Sequence, residues 1–192
     1  MPRNREFDYN DKLEKVRNLF WEKGYNTTSM HDIVDAMGIN RSSIYNTYGN
    51  KHDLFLECLT HYAKMKTEQY KTASLYKGSA YEALCYTVHD VMNQTIKDKK
   101  ACLIVRTIFE LGNKDLQVKN LILSNATILE DIFRKLIENA KVEGDIKQNI
   151  TSELAARYIL SGFSGFYKHY ILSGSKKEVD EMIDFMLLFM KV

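Results

Sequence analysis

The sequence predicts an all-α protein of about nine helices, arranged as a small N-terminal head and a larger C-terminal body. Three observations carry this. The only proline is Pro2, so nothing after it blocks a helix by lacking an N–H. Of the nine glycines, Gly24, Gly38, Gly49, Gly78, Gly112, Gly144 and Gly174 each follow a stretch of helical periodicity, while Gly162 and Gly165 fall inside one. No stretch alternates apolar and polar residues as a half-buried strand does. A length of 192 residues, 45% apolar and 27% charged, suits one large domain or two small ones with a real core and excludes a disordered chain.

The elements follow in order. Tyr9, Leu13, Val16 and Phe20 step by four, three and four residues along one helical stripe, with Asp11 and Glu14 as an opening capping box and Gly24 as the stop. Ser29 and Asp32 open a second, short helix carrying Ile33, Val34 and Met37, closed by Gly38. Asn40 caps a third over 41–48, ended by Gly49, and the run Asn50 to Asp53 opens a fourth through Leu54, Phe55, Leu59 and Tyr62. Longer helices are predicted over about 81–97, 101–111, 116–142, 152–172 and 176 to the end. The head spans 1–53, a linking helix 51–72 joins it to the body, and the body spans 73–192, with Leu75 to Ser79 as the best boundary.

Several classes drop out. The longest uncharged run around the apolar tail, Tyr158 to Tyr167, is far short of the roughly 20 residues that span a bilayer. The N-terminus lacks the apolar core of a secretion signal, so a cytoplasmic protein with no membrane partner is expected. Cys58, Cys85 and Cys102 are odd in number and fit neither a disulfide framework nor paired zinc-ligand spacing. None of His31, His52, His61, His89 and His169 is preceded three residues earlier by a glutamate, so the ligand pattern of di-iron bundles is missing. There is no phosphate-binding glycine loop and no nucleophile elbow. The expectation is a protein that is not an enzyme and uses no metal or cofactor.

Two short helices joined by a tight turn at Gly38 have the layout of a helix-turn-helix, whose second helix lies in the DNA major groove. Such a helix needs donors and no carboxylates on its outer face. From Ala36 to His52 there is no Asp or Glu, and Arg41, Ser42, Ser43, Tyr45, Asn46, Thr47 and Lys51 offer donors while Ile44 and Tyr48 remain to anchor inward. Asn46 suits a bidentate contact to adenine, the hydroxyls suit phosphates or bases, and Lys51 at a helix start suits a phosphate. Whole-chain charge adds nothing: the net is +2, and the first 53 residues carry eight basic against eight acidic side chains. That balance points to few phosphate contacts and a moderate salt dependence. The bland alternative is a polar, solvated short helix with tyrosines packed beneath it.

The run Leu19-Phe20-x-x-x-Gly24-Tyr25, then Thr27-Thr28-Ser29-Met30-x-x-Ile33-Val34-x-x-Met37-Gly38-Ile39, then Ser43-Ile44-Tyr45-x-x-Tyr48-Gly49-Asn50-Lys51-x-x-Leu54-Phe55 resembles the N-terminal domain of TetR-family transcriptional regulators. It covers about residues 10–60 at several fixed spacings. The family often carries His-Phe where this chain has Thr47-Tyr48. The resemblance implies a homodimer whose recognition helices read successive major grooves of a palindromic operator in double-stranded DNA, usually as a repressor released by a small-molecule inducer. By family position it implies DNA contacts at Ser29, Met30, Arg41, Ser42, Ser43, Tyr45, Asn46, Thr47 and Lys51.

The body must speak through its own residues. Polar groups set in apolar helical faces suggest a ligand pocket among Tyr81, Cys85, His89, Met92, Cys102, Arg106, Phe109, Tyr158 and Phe166, against the alternative that the aromatics are core. Arg106 and Glu110 stand four apart on one helical face, either as a surface pair or, if buried, as anchors for a charged ligand. Cys102 opens a helix just after Lys99 and Lys100, a setting in which a redox- or electrophile-sensing thiol is the competing reading. Ser161, Gly162, Ser164 and Gly165, with Tyr158, Ile159, Phe163 and Phe166, and the stripe Val179, Met182, Ile183, Met186 and Met190 suggest that the last two helices form a four-helix dimer interface, against the alternative of intramolecular packing alone. A ligand-independent DNA-binding or interaction module is the remaining alternative.

Overall fold

A computed structural model describes residues 5–192, with side chains from Tyr9 onward; residues 1–4, Pro2 among them, lie outside the described residues. Nine helices follow: α1 (Arg5–Lys23), α2 (Met30–Met37), α3 (Arg41–Tyr48), α4 (Lys51–Ser74), α5 (Ala80–Asp98), α6 (Leu103–Leu111), α7 (Leu116–Val142), α8 (Ser152–Ser173) and α9 (Lys176–Leu188). Among the described residues there is no strand, only an isolated bridge of Ile146 with Lys191 near the C-terminus. Several boundaries differ from the sequence reading: α6 starts at Leu103 rather than at 101, and α9 ends at Leu188 rather than running to the end. Asp11 does not open α1 but sits inside it, its carboxylate 2.9 Å from the Lys15 ammonium one turn on; an i, i+4 pair and a cap draw on the same residue types, and spacing cannot separate them.

The chain divides into two compact units, 1–64 with 103–122, and 65–102 with 123–192. The predicted boundary near residue 73 therefore lies inside the second unit, and α6 with the start of α7 joins the first. The core of the first unit is built from Leu13, Val16 and Phe20 of α1, Ile33 and Met37 of α2, Ile44 and Tyr48 of α3, and Leu54, Phe55 and Leu59 of α4, all buried. Phe20 meets Phe55 edge-on at 4.9 Å, and Trp21 meets Tyr62 in the same way at 5.1 Å. The buried Arg17 is met by Glu14 at 3.0 Å and by Nδ1 of His61 at 3.1 Å, as a desolvated cation requires.

The second unit packs α5, the later part of α7, α8 and α9 around Leu84, Val88, Phe133, Ile137, Ile159 and Ile183. Tyr70 contributes from α4, its ring edge-on to Phe133 at 5.8 Å. Here the expected dimer stripe of α9 is corrected. Val179, Ile183, Met186 and Met190 are buried in this unit's own core, as are Ile159 and Phe166 of α8. The outward face carries instead Leu154, Tyr158 and Leu172 of α8, Met182 and Phe185 of α9 and Phe189 just after it, all exposed. Ser161, Ser164 and Gly165 are exposed on α8 as well. The spacing 154, 158, 161, 165, 172 is one helical row, so a second apolar face stands behind the first.

Candidate nucleic-acid interface

Local chemistry fixes the two short helices. Ser29 accepts from the Asp32 N–H at 3.1 Å while Asp32 accepts from the Ser29 N–H at 2.7 Å, a reciprocal capping box at the start of α2. Hydrogen bonds from Lys23 and Ser29 hold the Asp32 carboxyl far below the usual carboxylate range. At the other end Gly38 turns the chain with φ +62°, its N–H donating to the Val34 carbonyl at 2.8 Å, a left-handed conformation that costs glycine little. Asn40 then caps α3, accepting from the Ser43 N–H at 2.8 Å.

This geometry sorts α3 into two faces. Ile44 and Tyr48 are buried, and the Tyr48 ring stacks on Tyr9 of α1 at 4.8 Å. Arg41, Ser42, Tyr45, Asn46 and Thr47 are exposed, Ser43 is partly so, and no carboxylate lies among them. Arg41 donates to the Tyr45 hydroxyl at 3.2 Å, with its guanidinium 5.5 Å from the Tyr45 ring. Exposed Ser29 and half-buried Met30 stand at the start of α2. Lys51 is the first residue of α4, behind an Asn50 side chain that accepts from the His52 and Asp53 N–H groups at 2.8 and 3.1 Å.

Lys51 has a seat that spacing did not reveal. Its ammonium lies 4.5 Å over the ring of Tyr25, a cation–π contact that aims the charge. Partial burial lowers its pKa, opposed by the carboxylates of Glu110 and Asp32. The Tyr25 ring rests against Phe55 at 4.8 Å. Beside it, Nε2 of His52 lies 2.5 Å from the Asp115 carboxylate. The Gly24-Tyr25 pair was visible as a helix stop followed by an aromatic; its function as a platform depends on chain folding.

The nine residues nominated for a ligand pocket do not share one lining. Arg106 and Phe109 belong to the first unit, where Arg106 donates to main-chain carbonyls and Phe109 is 87% exposed. In the second unit Met92 and Phe166 are core and Tyr158 faces outward. Tyr81, Cys85 and His89 share one face of α5 turned to the C-terminal helix: Lys191 sits 5.0 Å over the Tyr81 ring, and His89 meets Asp184 at 2.9 Å and Asp180 at 3.5 Å. Burial pushes the Cys85 thiol up, away from reactivity. Cys102 is half-buried ahead of α6. The second unit's open cleft, about 480 Å³, is lined by other residues, among them Met65, Glu68, Gln69, Tyr86, Asp90 and Gln94. Helical periodicity marks which face is apolar, not which face meets a neighbouring helix. No group of three or more metal-ligating side chains occurs among the described residues, and no described helix is long and apolar enough to cross a membrane.

Comparison with known proteins agrees with this geometry. The profile described as bacterial regulatory proteins, tetR family, matches residues 13–58, which hold most of α1, all of α2 and α3 and the start of α4. An uncharacterized HTH-type transcriptional regulator, YezE, of Bacillus subtilis is 32% identical over 163 residues, covering 83% of this chain and 84% of that protein. The HTH-type transcriptional repressor ComR of Escherichia coli is 26% identical, covering 75% and 70% of the two chains. Among solved structures, a TetR transcriptional regulator from Chloroflexus aurantiacus superposes over all of both chains with a TM-score of 0.87 at 16% identity. The TetR-family regulator CifR, in a cysteine mutant complexed with 26-base-pair operator DNA, gives 0.80 over 97% of this chain and 98% of that one at 20% identity. The chain, with its helix-turn-helix, belongs to the TetR family of bacterial transcriptional regulators.

Proposed function

We propose that the protein is a ligand-responsive repressor that binds a palindromic operator as a homodimer. The observation that carries the reading is the two-faced α3: an exposed face of Arg41, Ser42, Tyr45, Asn46 and Thr47 without a carboxylate, framed by Lys51 on its aromatic seat. Asn46 and Tyr45 supply base contacts, Ser29, Ser42, Ser43 and Lys51 supply phosphate contacts, and Met30 packs at the groove edge. Related proteins support the sign and the partner: two relatives are named repressors, and CifR was solved on operator DNA.

The outward apolar face of α8 and α9 supports the dimer. Leu154, Tyr158, Leu172, Phe185 and Phe189 are large apolar side chains left exposed on this face, which a soluble chain rarely leaves uncovered in number, and a two-fold axis through it brings four helices together. A regulator of similar fold was solved with stearoyl-CoA, which supports a small effector. In this chain the open cleft with Asp90 beside Tyr86, where the other carboxylate, Glu68, is paired with Lys71 at 2.8 Å, favours an amphipathic cation over an anion. Effector binding in the body changes the separation of the two recognition helices, which must match grooves about 34–36 Å apart.

The test is selection of the purified protein on random duplex DNA, followed by affinity at two salt concentrations for the wild type and for a Tyr45→Ala, Lys51→Ala variant. A palindrome bound by a dimer and lost in the variant is expected. A well-folded dimer that enriches no sequence, with and without a panel of cationic and acyl compounds, contradicts the reading.

A further inference from the structure

Arg106 and Glu110 stand one turn apart on α6 and both reach the turn between α1 and α2. Nη1 of Arg106 donates to the carbonyls of Trp21 and Glu22 at 3.1 and 3.0 Å. Carbonyls in the last turn of a helix lack an intrahelical donor and carry the negative end of its dipole, so a cation belongs there. Just beyond, the N–H groups of Tyr25 and Asn26 donate to the two carboxylate oxygens of Glu110 at 3.0 and 2.6 Å. The guanidinium and the carboxylate thus grip opposite electrical ends of one turn. Gly24 lies between them with φ +87°, and a Cβ there would stand 2.9 Å from Oε2 of Glu110 and 3.0 Å from Nη2 of Arg106.

The gripped turn carries Tyr25, the platform beneath Lys51. A second tie acts next to it, because Asp115 begins α7 by accepting from the Gln117 and Val118 N–H groups, each at 3.0 Å, while its other oxygen meets His52. We propose that Arg106 and Glu110 are positioning residues for the phosphate contact of Lys51, so that α6 sets DNA affinity through Tyr25. α6 has nine residues and continues the chain from Cys102 of the second unit. A shift of α6 toward either end drags the Tyr25 main chain, and the ammonium loses the ring that aims it. This is a coupling path that does not run along α4. It rests on the reading that Lys51 touches a phosphate.

The experiment measures affinity for the selected operator across a salt series for the wild type, Lys51→Ala, Glu110→Gln and the double variant, with amide exchange at Tyr25 and Asn26 and thermal melting as checks of fold. A carboxamide has one acceptor oxygen for two N–H groups, so exchange at one or both amides accelerates in Glu110→Gln. Affinity is expected to fall about tenfold in Glu110→Gln and in Lys51→Ala, each with a log–log salt slope shallower by about 1.8, the share of two phosphate contacts, one from each protomer. The double variant binds no more weakly than Lys51→Ala alone. Multiplying effects, or an unchanged slope in Glu110→Gln while Lys51→Ala alters it, overturns the positioning function. A slope that Lys51→Ala leaves unchanged overturns the phosphate contact itself and the proposal with it. Arg106→Lys keeps a cation at the α1 terminus and is expected to retain most of the affinity that Arg106→Gln loses.

Discussion

With the proposed dimer joined through the outward face of α8 and α9, replacing Phe185 with alanine is expected to weaken it without unfolding the protomer. Phe185 projects from α9 on the face opposite the core, 64% exposed, with its ring edge-on to Phe189 at 5.0 Å. A phenylalanine side chain removes on the order of 200 Å² from water when fully buried, so the exposed share of Phe185 leaves about 130 Å² for a partner to cover. At about 25 cal/mol per Å² this corresponds to about 3 kcal/mol in each protomer, and a two-fold interface counts it twice. Ordering of the side chain on each protomer, at up to about 1.5 kcal/mol for each immobilised side chain, removes about 3 of these roughly 6 kcal/mol. The variant should therefore weaken dimerisation by about 3 kcal/mol, or about two orders of magnitude in Kd. Sedimentation equilibrium over a broad concentration range reads this directly, with circular dichroism melting as the check that α9 stays packed through Val179, Ile183 and Met186. Leu75→Ala, at a position 79% exposed between α4 and α5, is the control and should leave the dimer unchanged. A Phe185→Ala protein that dimerises as tightly as the wild type refutes the assignment of this face to a second copy.

Other perturbations follow from the same contacts. Gly24→Ala forces a side chain into a left-handed conformation, at about 1–2 kcal/mol, and presses on the Arg106 and Glu110 groups; denaturant unfolding should show at least that loss, together with weaker operator binding. Ser29→Ala removes the cap of α2 and should lower stability by about 1 kcal/mol in the same assay. Phe20→Ala empties a fully buried position between Phe55 and Tyr25 and should cost about 3–5 kcal/mol, read as loss of both cooperative unfolding and DNA binding. Asp32, Asp115 and Asp131 have carboxyl pKa values lowered by their hydrogen-bond partners. A lowered folded pKa means stability present above the ordinary carboxylate value of about 4 and lost as pH falls below it. Unfolding should thus be insensitive to these groups at neutral pH, and Asp115→Asn should flatten part of the acid limb of a pH titration of stability.

The helix-turn-helix was legible because its signals are local. Ser29, Gly38 and Asn40 act on backbone groups within three or four residues, and the apolar Ile44 and Tyr48 on a polar helix of eight residues leave one inward face. α9 was misread for a physical reason: it is apolar on two faces, and a period of 3.6 finds both Val179, Ile183 and Met186 and the row of Met182, Phe185 and Phe189 without telling core from interface. Arg106 and Glu110 show the same limit, since i, i+4 spacing is identical whether two side chains pair with each other or reach a turn some 85 residues away in the chain. Tyr81, Cys85 and His89 were legible as polar groups within an apolar helix, but their partners Asp180, Asp184 and Lys191 come from the far end of the sequence. The two compact units are not continuous in sequence, since residues 103–122 group with 1–64, and no composition change marks that excursion.

The central claim, that α3 reads operator bases in two symmetric half-sites, is tested most directly by a base-by-base affinity profile. Each position of the selected operator is replaced in turn, and binding is measured for the wild type and for Asn46→Ala. A two-fold symmetric profile is expected, in which each disfavoured base costs about 1–3 kcal/mol, with Asn46→Ala flattening one position in each half-site and leaving the salt slope intact. A profile without symmetry, or one that Asn46→Ala leaves unchanged, contradicts it.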